Sequence, residues 1–216
     1  MNSGVTHVLT VPLDCDEPQL QALAALQLAF SQACNLVAEQ AQRHRCWNRV
    51  ALHHLSYRLV RQAFEALGSQ MACNAVYAVC RACRWAYQHP QSPYSIEDPE
   101  NSLKPLPLLR FTEDCPVYFD RHTFTVKAQS LSLYTLDGRM QFLVSLTSQQ
   151  ANWFKTERVK EAALVRASPQ NSFQLVFWFE PKSGPADAAS AEVLSPSTLA
   201  VGPLKTQPHY LETVSA

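Results

Sequence analysis

The sequence predicts an α+β fold, and three observations carry that prediction. Apolar residues recur every three or four positions from residue 19 to 89, the spacing of amphipathic helices, and every second position from about 108 to 180, the spacing of half-buried strands. Between the two patterns, residues 90–107 hold five prolines and sustain neither period, so they form a connector that cannot be helical throughout. Ahead of both, residues 7–13 alternate apolar and polar side chains and read as a single strand.

Size and composition set the outer bounds. The chain has 216 residues, 47% of them hydrophobic, enough to bury the core of one ordinary domain or two small ones. Lysine and arginine together number 18 and so do the acids, so the whole-chain charge names no partner. Five glycines against 14 prolines nearly exclude a glycine-rich phosphate loop. No run approaches the roughly 20 apolar residues that span a bilayer, and residues 1–10 have no basic segment leading into an apolar stretch, so no membrane partner and a cytoplasmic location are expected. Seven cysteines without a secretory signal argue for free thiols in a reducing compartment.

The helical part starts at Asp16, a plausible N-cap with Pro18 in the first turn. One helix is expected over 19–44 through Leu20, Leu23, Leu26, Phe30, Cys34 and Val37, a second over 48–67 stopped by Gly68, and a third over 69–89. Strands are expected over 108–112, 117–119, 123–128, 130–134, 140–146, 157–167 and 173–179, with hairpin turns at 120–122 and 137–139. Seven short strands at this spacing suggest a small barrel or a sandwich. From Pro181 the chain turns to small residues and proline, typical of a linker or tail, so the fold is expected to finish near Glu180.

Local charge says more than total charge. From Arg43 to His89 there are seven arginines (Arg43, Arg45, Arg49, Arg58, Arg61, Arg81 and Arg84) and one acid, Glu65. Arg58 and Arg61, and likewise Arg81 and Arg84, are three residues apart and share a helical face, with Tyr57, Tyr77, Trp85 and Tyr87 interleaved. Guanidinium groups grip phosphates and aromatic rings stack on bases, although a solvated arginine face would show the same pattern. Cys80 and Cys83 have the spacing of a metal or redox pair, but they fall inside a helix and have no second pair, so a packed face is expected for them and for Cys73. His53 and His54 are adjacent, point apart and read as surface residues. No motif for nucleophilic or acid–base catalysis is present, so no catalytic residue, metal or cofactor is expected.

The order of short motifs resembles a family. It runs through Ala29-Phe30-Ser31-Gln32-Ala33-Cys34-Asn35, His53-His54-Leu55-Ser56-Tyr57-Arg58-Leu59-Val60-Arg61 and Leu67-Gly68-Ser69-Gln70-Met71-Ala72. It continues through Phe119-Asp120-Arg121-His122 and Ser130-Leu131-Ser132-Leu133-Tyr134-Thr135-Leu136-Asp137-Gly138-Arg139. This is similar to the N-terminal half of TnpB, the RNA-guided nuclease of insertion sequences, and of related compact type V CRISPR effectors. The resemblance implies a small wedge-like, OB-like β-barrel from residues 5–16 and 105–182, a helical recognition-like bundle inserted after the first strand as residues 17–104, and a flexible C-terminal tail over 183–216. It also implies that the first strand pairs with later ones.

In that family a RuvC-like nuclease half follows. Residues 198–204 lie where its first catalytic aspartate would fall and contain none, so the expectation is a nuclease-dead protein that is not an enzyme. RNA or DNA, and a separate chain supplying the RuvC half, are the partners implied. Tyr57, Arg61 and Gln70 match positions that face the target-adjacent motif, and with Arg43, Arg45, Arg49, Arg58, Arg81 and Arg84 they form the expected nucleic-acid-binding set. The alternative is a protein interaction module, or an inactive transposon remnant, that keeps the fold without binding RNA.

Overall fold

Alternation of large apolar and small polar residues builds the first of two units, which comprises residues up to Gln27 and from Pro116 to Glu192. The computed structural model describes residues 7–127, 129–167, 172–182 and 208–214. Strand β1 (His7–Leu13) buries Leu9, Val11 and Leu13 on one face and turns the residues between them outward. It pairs antiparallel with β8 (Ser172–Pro181), so the pairing of first and later strands implied by the resemblance is present. The hydrogen-bonded order is β1-β8-β7-β3, with β3 at Val117–Phe119 and β7 at Glu157–Ala167. A separate antiparallel meander is made by β4 (Phe124–Lys127), β5 (Ser130–Thr135) and β6 (Gly138–Leu143).

The two sheets pack face to face through aromatic side chains. Phe124 of the meander meets Phe177 of β8 edge to face at 5.5 Å, the offset geometry that ring quadrupoles favour. Helix α5 (Ser148–Thr156), just before β7, adds Phe154 against Phe177 and Phe179, both at 5.0 Å. These strands are hydrogen-bonded as open antiparallel sheets, and none closes into a barrel among the described residues.

Helices dominate the second unit, residues 28–115 and 193 onward. Helix α1 (Glu17–Arg43) gives its first turns to the sheet unit and the rest to this one, which corrects the expected boundary at residue 17. It is also the one helix among the described residues that is long and apolar enough, by length and composition alone, to cross a membrane. Its apolar residues are interspersed with polar ones, so it contains no unbroken apolar run. Those polar residues bond within the fold: Asn35 Nδ2 donates to the Phe111 carbonyl at 3.0 Å, and Gln42 Nε2 to that of Leu106 at 2.7 Å.

The helix ends in a Schellman motif, with the Cys46 N–H on the Ala41 carbonyl at 3.0 Å and Arg45 in the left-handed region at φ 46°. Helix α2 (Arg49–Ala63) is capped by Asn48, whose side chain accepts from the Val50 and Ala51 N–H groups. A 3-10 turn (Glu65–Leu67) ends at Gly68, φ 74°, a conformation natural to glycine, and α3 (Ser69–Gln88) follows. The short α4 (Pro99–Ser102) interrupts the proline-rich connector.

Strand β2 (Leu108–Phe111) pairs with β9 (Leu211–Val214) in a two-stranded sheet. Two expectations are corrected here. Residues 108–115 belong with the helices rather than with the sheets of residues 116–181. The chain also does not finish folding near Glu180, since 211–214 within the expected tail form a paired strand, secured by Tyr94 Oη and Thr213 Oγ1 at 3.1 Å. The remainder of that tail, 183–207 and 215–216, lies outside the described residues.

Two turns were expected to be hairpins and one is. At 120–123 the Asp120 carboxylate accepts from the His122 N–H at 3.0 Å, an Asx turn that carries the chain from one sheet to the other, since β3 pairs with β7 and β4 with β5. At 136–138 the β5–β6 hairpin closes with Gly138 at φ 105°. Leu136 and Asp137 are not at positive φ, so glycine carries the reversal one residue later than in a primed two-residue turn.

Candidate nucleic-acid interface

The α2–α3 hairpin gathers most of the expected residues on one side. A connection of only five residues makes the two helices antiparallel neighbours. Cys73 Sγ on α3 lies 3.7 Å from His53 Nε2 on α2, and the Arg49 guanidinium lies over the Tyr77 ring at 5.2 Å from its centroid. Residue 53 is thus opposite 73 and 49 opposite 77, which places Tyr57 near the α3 start that carries Gln70. Steps of three and four residues put Gln70, Cys73, Tyr77, Arg81 and Arg84 on one stripe of α3, and all five are half-buried. The residues between them, Ala72, Ala75, Val76, Val79, Cys80 and Cys83, fill the core, which is why the stripe faces outward.

Guanidiniums and rings are held in place along this stripe. Arg81 sits over the same Tyr77 ring, at 5.4 Å, so one aromatic organises two cations from different helices. His53 stacks on Tyr57 with ring centroids 4.7 Å apart and planes 21° from parallel. Arg61 donates from Nη1 to the Glu65 carbonyl at 2.9 Å, fixing its side chain against the end of α2. Together the hairpin presents Arg49, Tyr57, Arg61, Gln70, Arg81 and Arg84 along one side.

The other three arginines are elsewhere. Arg43 occupies the last turn of α1, where a cation complements the helix dipole. Arg45 has the backbone duty described above and reaches the Ser102 carbonyl at 3.3 Å. Arg58 is exposed on the outward face of α2.

Several sequence readings change in this geometry. Tyr87 offers no stacking surface, because it is fully buried and its hydroxyl donates to the Pro107 carbonyl at 2.6 Å. His53 is half-buried and stacked rather than a plain surface residue, and Cys73 lies on the stripe rather than in the core. Cys80 and Cys83 are packed inside, where burial pushes the Cys80 thiol up to about 11 and the Cys83 thiol higher still. Among the described residues no group of three His, Cys, Asp or Glu side chains is placed to hold a metal ion. The Tyr77 clamp could have been found in the sequence from Tyr77 and Arg81 at i, i+4, but Arg49 joins it only through tertiary contact.

No protein-family model matches this chain, and no curated protein matches it.

Proposed function

We propose that this protein is a TnpB-like nucleic-acid-binding protein of transposon or CRISPR-effector origin that takes guide RNA, target DNA or both along the α2–α3 face, and is not itself an enzyme. The observation that carries the reading is the convergence of Arg49, Tyr57, Gln70 and Arg81 on one side of a hairpin whose neighbourhood, from Arg43 to His89, contains a single acid. Cations set on rings, beside further stacking surface, suit a polymer of phosphates and bases. Arg49, Arg61, Arg81 and Arg84 meet phosphates, while Tyr57 and Gln70 contact bases beside the target. In this reading the two packed sheets stand for the wedge-like barrel of the family, the protein works in the cytoplasm, and a separate RuvC-like chain is a partner.

Salt titration tests it. Binding to structured RNA or duplex DNA should weaken linearly in log K against log salt, with a slope of about 0.9 per phosphate contact. The double variant Arg49→Gln/Arg81→Gln should lower that slope by roughly two units. Changes at Tyr57 or Gln70 should alter sequence preference more than salt dependence. Undetectable binding at about 150 mM salt, or a slope unmoved by the double variant, would favour a protein interaction module, to which the exposed Leu55 and Leu59 of α2 would belong.

A further inference from the structure

The seven thiols of this chain sit in different surroundings. Cys34, Cys80, Cys83 and Cys115 are buried, beyond the reach of a solvent-borne electrophile. Cys15 is partly exposed, but burial and the neighbouring Asp14 and Asp16 carboxylates push its thiol up to about 11, which suppresses the nucleophilic thiolate. Cys46 and Cys73 are the other partly exposed ones. Cys73 has what a reactive cysteine needs: His53 Nε2 at 3.7 Å, on a face where Arg49 lies one helical turn before the histidine and Tyr77 one turn after the cysteine. The His53 ring is held by its stack on Tyr57, one turn further along α2.

We propose that Cys73, paired with His53, is the reactive thiol of this protein and forms mixed disulfides with low-molecular-weight disulfides, closing the α2–α3 face. With the imidazole proton on Nδ1, His53 Nε2 accepts the thiol proton and Cys73 Sγ attacks one sulfur of the disulfide. A new S–S bond forms to that sulfur and the old one breaks. Its electron pair leaves on the second sulfur, which takes the proton from the imidazolium and departs as a thiol. Cys73 is oxidised and the small disulfide is reduced. An anionic group such as glutathionyl would then stand among the arginines, so the closing of the face rests on the nucleic-acid reading, whereas the modification does not.

The full chain treated with oxidised glutathione and followed by peptide mass mapping tests the first half. Cys73 should be modified at least about tenfold faster than Cys46 or Cys15, and His53→Gln should slow it roughly tenfold, while Cys46→Ser leaves its rate unchanged. His53→Asn serves as a second variant, with circular dichroism confirming that each is folded. Modification of Cys46 or Cys15 ahead of Cys73, or an unchanged rate in a folded His53 variant, would overturn the assignment. RNA binding before and after modification tests the second half: it should be lost, regained with dithiothreitol, and insensitive to glutathione in Cys73→Ser. Binding that persists on fully modified protein overturns the closure and leaves the thiol assignment standing. RNA that fails to bind even the unmodified protein overturns the function proposed above, while the mass map still decides Cys73.

Discussion

Arginine is used differently in the two units. In the sheet unit Arg166 donates to Gln27 Oε1 at 2.8 Å and lies over Phe173, Arg158 pairs with Glu180 at 3.3 Å, and Arg139 donates to the His122 carbonyl at 2.7 Å. Each ties one element of the unit to another. In the helical hairpin Arg49 and Arg81, from two different helices, lean on one tyrosine ring, an interaction that positions both guanidiniums. The cores differ as well. Large aromatics knit the sheets, whereas alanine, cysteine and methionine line α3 and let the helices approach closely. A residue type therefore says little about role until its partners are known.

The sharpest way to break this contrast is core truncation. Phe177→Ala removes a ring that touches Phe124, Phe154 and Phe179 and should cost about 3–5 kcal/mol in urea unfolding. Cys83→Ala in the tightly packed helical core should cost only about 1–2 kcal/mol. Equal losses would mean that the helices depend on large side chains as much as the sheets do.

Alkaline pH should weaken the helical unit next. Burial raises the Cys80 thiol from 9.0 to about 11 and pushes the Cys83 thiol and Tyr87 phenol up in the same direction. Their neutral forms are favoured by folding, so this stability is complete below pH 9 and is lost as pH rises through the folded values. The unfolded chain releases these protons first. Cys80 alone would account for a fall of up to about 2 kcal/mol between pH 9 and 11, read by helix circular dichroism and removed by Cys80→Ala.

Smaller effects test the helix ends. Thr147→Ala breaks the capping box of α5, in which the Thr147 Oγ1 accepts from the Gln150 N–H at 3.2 Å, and should cost about 1 kcal/mol in thermal melts. Arg45→Gly relieves a left-handed arginine at the end of α1 and should raise stability by about 0.5 kcal/mol, with RNA binding unchanged because Arg45 lies off the stripe. A fall in RNA affinity would bring it back into the interface.

Period and punctuation made much of the architecture legible: three long helices, and strands close to 117–119, 130–134 and 157–167, although the second helix ends at Ala63 rather than Leu67 and Gly68 closes the 3-10 turn that follows it. Helix α5 was missed although Thr147-x-x-Gln150 is a start signal, because nine residues between strands look like a strand and its loop. Strand β9 was missed because Leu-Glu-Thr-Val is too short to stand out after a run of small residues, and its partner lies about 100 positions earlier. The candidate site was half legible. Helical spacing placed Arg81 with Arg84 and gave the stripe of α3, but the facing of Arg49 to Tyr77 and of His53 to Cys73 depends on how two helices pack, which no single helix records. Arg43 and Arg45 entered the set on charge alone, and helix termini explain their positions.

The pairing of β1 with β8 also bears on how the chain is made. Residues 7–13 leave the ribosome before their partners at 173–179, which follow about 160 positions later, at roughly 5–20 residues per second a wait on the order of 10–30 s. During that interval α2 and α3, joined by a few residues, can close in microseconds to milliseconds, while Leu9, Val11 and Leu13 have no strand to lie on. Strand β1 is therefore made well before the strand it pairs with, and its apolar face stays without its sheet partner through that interval.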